Sequence, residues 1–313
     1  MKGKIKLFAI TPVIALLFSL CSFTVSAEAA NNATPRVVIE EGAPSAQTFD
    51  RYELSVSGIY NKSIYAYPAL KVVLNGAEIG TDARMINGSP YVAVRSIADA
   101  LGGLSVTYNS KTRVLNLKGN GIDVDVIDGS NVVYSNGRTL FSMTPSVVMS
   151  NGRMYAPVSS ISKALGINAS YDGGIISVEG RPTPITHGSV YYREDAVYWL
   201  SRIISAESRG ESLLGQIAVG SVVMNRVASV EYPSTIWGVI FDRKWGVQFS
   251  PIIDGSIYNA PSAASIVAAK ICLEGFNVNR NALFFLYPRA STSSWIPNSR
   301  EYLFSIGKHD FYA

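Results

Sequence analysis

A repeat inside the first half of the chain limits its fold more than any other feature. The segment from Asn87 to Gly102 aligns with the segment from Asn151 to Gly166, and the pairs Gly88/Gly152, Tyr91/Tyr155, Val94/Val158, Ile97/Ile161, Leu101/Leu165 and Gly102/Gly166 hold one constant offset. Each copy reads as a turn, a short strand, a short helix closed by a glycine, and then paired strands that finish at Asn116 or Val178. Two copies of one small α+β unit account for this pattern.

The flanks divide the rest of the 313 residues. Lys2, Lys4 and Lys6 precede an apolar run from Leu7 to Leu20, and small residues follow around Ser26-Ala27-Glu28-Ala29-Ala30. This is the pattern of a secretory signal peptide over residues 1–29, cut after Ala27 or Ala29. The run contains Pro12 and is short for a bilayer span, so no stable membrane insertion is expected once it is removed. Residues 30–64, with Pro35 and Pro44, read as a linker, residues 65–180 as the repeat domain, residues 181–189 as a stiff Pro-rich linker, and residues 190–313 as a second domain.

With the leader gone, Cys272 is the one cysteine left, and an intrachain disulfide is excluded. It falls in the apolar run from Ala264 to Leu273, where a small buried hydrophobe is expected rather than a nucleophile. The formal charge, 27 minus 23 or +4, shrinks further without the leader lysines, so nucleic acid is not an expected partner.

One carboxylate in the second domain stands out. From Ala196 to Glu207 the chain reads as an amphipathic helix, with Ala196, Val197, Trp199, Leu200, Ile203 and Ile204 on one arc and Asp195, Tyr198, Ser201, Arg202 and Ser205 on the other. Glu207 falls near the middle of the apolar arc. Desolvation and the negative end of the helix dipole both disfavour its ionised form and raise its pKa, as a general acid requires. The pattern leaves a second reading open, a buried glutamate satisfied by Arg209, Arg226 or a backbone amide.

The residue inventory narrows the chemistry. There is no G-x-S-x-G elbow, and neither His187 nor His309 sits in a zinc-ligand pattern, so no cofactor or metal is expected and carboxylate chemistry remains. Most glycosidases need two carboxylates, for which Glu211, Glu231, Asp242 and Asp254 are candidates.

Ala206-Glu207-Ser208-Arg209-Gly210-Glu211, then Gly215-Gln216-Ile217-Ala218-Val219 and Val222-Val223-Met224-Asn225-Arg226-Val227, resemble the spore cortex-lytic, or cell wall hydrolase, family. Trp237-Gly238-Val239-Ile240, Gln248-Phe249-Ser250-Pro251, Ala264 to Gly275, and Ala282-Leu283-Phe284-Phe285 fit it in order and spacing. The resemblance covers residues 191–311. It implies a mainly α, lysozyme-like (lytic transglycosylase-like) domain acting on peptidoglycan glycan strands, with Glu207 as the only catalytic carboxylate; Glu211, in the Arg209-Gly210-Glu211 turn, is expected to brace the helix end. An amide, a ring and a hydroxyl from Gln248, Phe249 and Ser250 are expected to hold sugar, with Tyr287 and Trp295 stacking on its neighbours. Where relatives carry Asn-Pro after the aromatic run, this chain has Tyr287-Pro288.

Residues 70–180 look like the copper amine oxidase N-terminal-like domain of secreted Gram-positive proteins. No histidine occurs between Asn31 and Thr186, so a copper site would lack its usual ligands. The domain is expected to be either a wall-targeting module with Tyr108, Tyr134 and Tyr171 facing sugar, or a spacer with those rings in its core. The whole is thus expected to be an α+β, two-module, secreted enzyme at the cell wall or spore cortex. A hydrolytic muramidase with a second carboxylate and a non-catalytic wall-binding protein are the alternatives, and an unpaired buried acid speaks against the latter.

Overall fold

The computed structural model describes residues 63–148, 151–291 and 294–313. The expected signal peptide and nearly all of the first linker lie outside the described residues. The first module runs β1 (Lys71–Leu74), β2 (Ala77–Ile79), β3 (Ala83–Ile86), β4 (Ser89–Ala93), α1 (Val94–Leu101), β5 (Ser105–Asn109), β6 (Val114–Gly119), β7 (Ile122–Ile127), β8 (Val132–Ser135), β9 (Arg138–Phe141), β10 (Val147–Val148), β11 (Met154–Pro157), α2 (Val158–Leu165), β12 (Asn168–Asp172) and β13 (Ile175–Glu179).

The repeat is legible in this order: β4-α1-β5-β6 and β11-α2-β12-β13 are the two copies. They meet through β4 and β11, which pair antiparallel with Tyr91 opposite Pro157, Val92 opposite Ala156 and Ala93 opposite Tyr155. Tyr91 corresponds to Tyr155 and Ala93 to Pro157 in the repeat, so the register is self-complementary about Val92 and Ala156, as in an isologous contact. Val94, Ile97, Val158, Ile161 and Leu165 share one core. Gly102 and Gly166 end the two helices at φ 73° and 61°, a conformation that costs glycine little. Beyond the helices the copies diverge: β6 continues into the meander β5-β6-β7-β8-β9, whereas β13 pairs in parallel with β1.

The second module is mainly helical. Its elements are α3 (Gly188–Tyr191), α4 (Glu194–Ser208), α5 (Leu213–Ala228), α6 (Ile236–Phe241), α7 (Pro251–Asp254), α8 (Ala263–Leu273), β14 (Phe284–Leu286), α9 (Trp295–Ser299), β15 (Tyr302–Ile306) and β16 (His309–Tyr312), with the strands in the order β14-β16-β15. Helices α4, α5 and α8 pack on one another around Leu200, Ile203, Ile204, Ile217, Val223 and Ile271. Gly220 sets their spacing, because a Cβ there would lie 2.7 Å from both Cys272 Sγ and Ile204 Cδ1. Among the described residues no helix is long and apolar enough to cross a membrane.

Two serines depart from the expected polar arc of α4. Ser201 and Ser205 are buried. Each hydroxyl has a backbone partner, Ser201 donating to the Tyr198 carbonyl and Ser205 accepting from the Ser262 amide, so burial leaves neither unsatisfied.

The modules are not joined by a free tether. Thr183 hydrogen-bonds through its amide to the Leu165 carbonyl and through its hydroxyl to that of Gly166. The Gly188 amide donates to the Asn136 carbonyl, and a Cβ on Gly188 would fall 2.1 Å from the Gly137 oxygen, so this close approach needs glycine. The β8–β9 hairpin then packs on the end of α8. Val132 is buried within the helical core, and Phe141 meets Phe276 edge-on at 4.6 Å between ring centres. Tyr134 packs against that core as well, which agrees with the core reading of this ring and not with the sugar-facing one. Tyr108 and Tyr171, on the equivalent edge strands β5 and β12, remain exposed.

Candidate active site

Helix α4 delivers Glu207 to its own C-terminal turn because Leu200, Ile203 and Ile204 anchor the preceding turns in the core. The carboxyl is half-buried and has no hydrogen bond or ion pair to any described residue. Neither cation suggested by the sequence neutralises it. Arg209 is exposed, while Arg226 is buried and donates from Nε to the Leu283 carbonyl at 2.8 Å and from Nη1 to Gln248 Oε1 at 3.4 Å. Burial first, and the negative charge of Asp254 second, push the Glu207 carboxyl up to about 7.

Asp254 differs in setting. It ends α7, is exposed, and accepts the Ser256 amide at 2.8 Å; these bonds with Ser256 hold it below the usual carboxylate range. Up to about neutral pH Glu207 thus keeps a proton within electrostatic reach of the ionised Asp254, which separates the acid role from any anionic role.

On the other side of Glu207 the turn into α5 is braced. Glu211 Oε2 accepts the Lys308 amide at 3.2 Å, and a Cβ on Gly307 would overlap that carboxylate, so the hairpin of β15 and β16 closes directly on it. Gln216, fully buried, donates to the Glu211 carbonyl and accepts from Ser265 Oγ, tying the turn to α5 and α8 together. Glu211 thus has the structural role expected of it. A polar residue in an otherwise apolar stretch was the sequence signal for Gln216. His309 follows in β16, buried between Phe285 and Phe311, and burial lowers its pKa.

The expected sugar contacts do not form one group. Tyr287 stands 6.3 Å from His309 between ring centres, at the Glu211 end of the domain. Ser250 is exposed at the start of α7, the helix that ends at Asp254. Gln248 is held by Arg226 from the last turn of α5. Phe249 is a correction: at 3% exposure its ring is part of the helical core, against Phe285 and beneath Arg226, and it has no free face for a sugar. Trp295 is exposed and packs one edge on Phe284, with Arg300 over its ring.

Residues 210–312 match the family model described as Cell Wall Hydrolase, and residues 73–179 match the copper amine oxidase N-terminal domain. The chain carries a cell wall hydrolase domain. The match to that domain begins just after Glu207. A spore cortex-lytic enzyme of Bacillus cereus is 33% identical over 157 residues, covering 49% of this chain and 58% of that relative. One from Oceanobacillus iheyensis is 33% identical over 129 residues, 41% of this chain and 45% of its own. The chain thus spans less than two thirds of the length of these relatives. Among solved structures, the catalytic domain of the germination-specific lytic transglycosylase SleB from Bacillus anthracis is 35% identical, covering 41% of this chain and 100% of that chain, with a TM-score of 0.36.

The copper in the name of the upstream family does not fit this chain. Residues 73–179 contain neither histidine nor cysteine, and among the described residues no group of three His, Cys, Asp or Glu side chains could hold a metal ion.

Proposed function

We propose that this protein is a peptidoglycan-cleaving enzyme, a lytic transglycosylase that breaks the bond between N-acetylmuramic acid and N-acetylglucosamine with Glu207 alone. The observation that carries the reading is the unpartnered carboxyl of Glu207, pushed up to about 7 at the end of a core helix. In that state it donates its proton to the glycosidic oxygen as the bond from C1 to that oxygen breaks, and N-acetylglucosamine leaves as the alcohol. The Glu207 carboxylate then removes the proton of the muramic C6 hydroxyl while O6 bonds to C1. The proton returns to Glu207, a 1,6-anhydro ring results, and no water is consumed. The lysine-led apolar segment at the N-terminus and the names of the relatives support a secreted protein at the cell wall or spore cortex, with glycan strands as its partner.

Asp254 favours one second reading. It is the carboxylate that acts on Glu207, and as the ionised member of the pair it would activate water in a hydrolytic muramidase. Digestion of peptidoglycan followed by borohydride treatment and mass spectrometry separates the two. Anhydro ends resist reduction, and their dominance is expected; a digest made up of reducible muramic ends, heavier by one water, selects the hydrolase.

A further inference from the structure

Where α4, α6 and the turn after Asp254 meet, four aromatic rings from three elements form a continuous chain. Helix α6 buries Val239 and Ile240 completely and places Trp237 and Phe241, one helical turn apart, at the margin of the core. Their rings lie 5.1 Å apart between centres. Phe241 meets Trp199 of α4 edge-on at 5.1 Å, and Trp199 meets Tyr258 at 6.3 Å. The inner rings, Trp199 and Phe241, are half-buried and pack against the helical core. The outer two are not: Trp237 is 55% exposed and Tyr258 is 61% exposed. Neither the Trp237 indole N–H nor the Tyr258 hydroxyl bonds to a described residue, so both polar edges face solvent beside open ring faces.

The chain of rings is continuous with the site. Tyr258 follows Asp254 by one short turn, and Trp199 stands on the same helix as Glu207, about 12 Å before it at 1.5 Å per residue. The Ser262 amide bonds to Ser205 Oγ, which pins the segment after Tyr258 to α4 and fixes the platform relative to the acid. Large rings supported from behind, open in front and carrying unused polar edges suit a ligand with apolar C–H faces and a rim of hydroxyls.

We infer that Trp237 and Tyr258, held in place by Trp199 and Phe241, are a distal saccharide-binding platform that grips the glycan strand on the Asp254 side of Glu207. The inference rests on the glycan-cleaving reading above and gives a role to two residues for which neither the motifs nor the comparisons state one. It accounts for two large rings left exposed at the ends of this chain, where an apolar surface without a partner is a liability.

Binding is measured with the full chain carrying Glu207→Gln, so that the strand is held and not cut. Co-sedimentation with purified peptidoglycan sacculi should weaken about tenfold in Trp237→Ala/Tyr258→Ala, given two stacking contacts of ordinary strength, and Trp237→Phe/Tyr258→Phe should retain most of it. Tryptophan fluorescence of the folded parent should change on titration with the N-acetylglucosamine tetramer, and Trp237→Phe should remove most of that change, a readout that stands even where the alanine variant fails to fold. Unchanged sedimentation of a folded alanine variant, or a fluorescence response that survives Trp237→Phe, overturns the platform. A variant that turns a self-associated protein monomeric without altering glycan affinity also overturns it, by making this face a contact between copies. Failure of the platform and failure of the parent reading look different: a wild-type chain that cleaves nothing while its Glu207→Gln form still grips sacculi through these rings refutes the cleavage and keeps the platform.

Discussion

Arg138 of the repeat module and Glu274 at the end of α8 form a buried ion pair across the seam between the modules, Nε to Oε1 at 2.9 Å, with the Glu274 side chain only 2% exposed. Tyr192 completes it, donating its hydroxyl to Glu274 Oε1 at 2.6 Å while accepting the Thr139 amide at 2.8 Å, and the Arg138 guanidinium lies 3.8 Å over the Tyr191 ring. Removing one partner strands the other charge out of water.

Arg138→Ala should therefore destabilise the full chain by about 3 kcal/mol, and Tyr192→Phe by about 1 kcal/mol. The segment 190–313 on its own should unfold at a lower temperature than the full chain, because it exposes Glu274 and the surface that Val132 and Phe141 cover. Calorimetry of the variants and the segment checks this, and equal midpoints would show that the seam contributes nothing.

The raised pKa of Glu207 predicts two pH effects, one on cleavage and one on stability. As a general acid it must carry its proton, so cleavage should fall about tenfold per pH unit above about 7. Asp254→Asn removes the second cause of the shift and should move that limb to lower pH, while burial keeps it above the ordinary 4.5. Stability has its own sign. A carboxyl whose folded pKa is raised gives stability that is whole below its unfolded pKa and lost as pH rises through the folded one. Between pH 5 and 8.5 the parent should thus lose on the order of 2 kcal/mol relative to Glu207→Gln, read as converging or crossing unfolding midpoints.

Cys272 should be inert. It is buried against Gly220 and the Ile217 carbonyl, and burial pushes its thiol up to about 12. A thiol-blocking reagent should leave the native protein unlabelled and active, and so should EDTA, since Glu207 chemistry needs neither sulfur nor metal. Loss of activity on chelation, restored by zinc, would reverse the argument.

Local pattern carried most of the fold into the sequence. The repeat was legible because Tyr91, Ile97 and Gly102 recur in Tyr155, Ile161 and Gly166, and each type does the same work twice, ring or aliphatic group in the core and glycine at positive φ. Glu207 was legible because a charge on an apolar arc breaks the period. Ser201 and Ser205 were not, since small hydroxyls that bond to backbone can be buried on any face. The seam was hidden for another reason: Arg138, Tyr192 and Glu274 are far apart in the chain, and nothing local distinguishes them from surface residues. Phe249 was misread because a ring beside a loop can turn inward, and here Arg226 and Phe285 receive it.

The proposed chemistry rests on a single carboxyl, and Glu207→Gln is the variant that decides it. Soluble fragments released from purified peptidoglycan by the full chain and by this variant are compared by mass spectrometry, with circular dichroism confirming that both are folded. The amide is nearly isosteric but cannot give and recover a proton, so release of anhydro-muropeptides should drop at least a hundredfold. A folded Glu207→Gln chain that still releases them at a rate near the parent's would contradict the account.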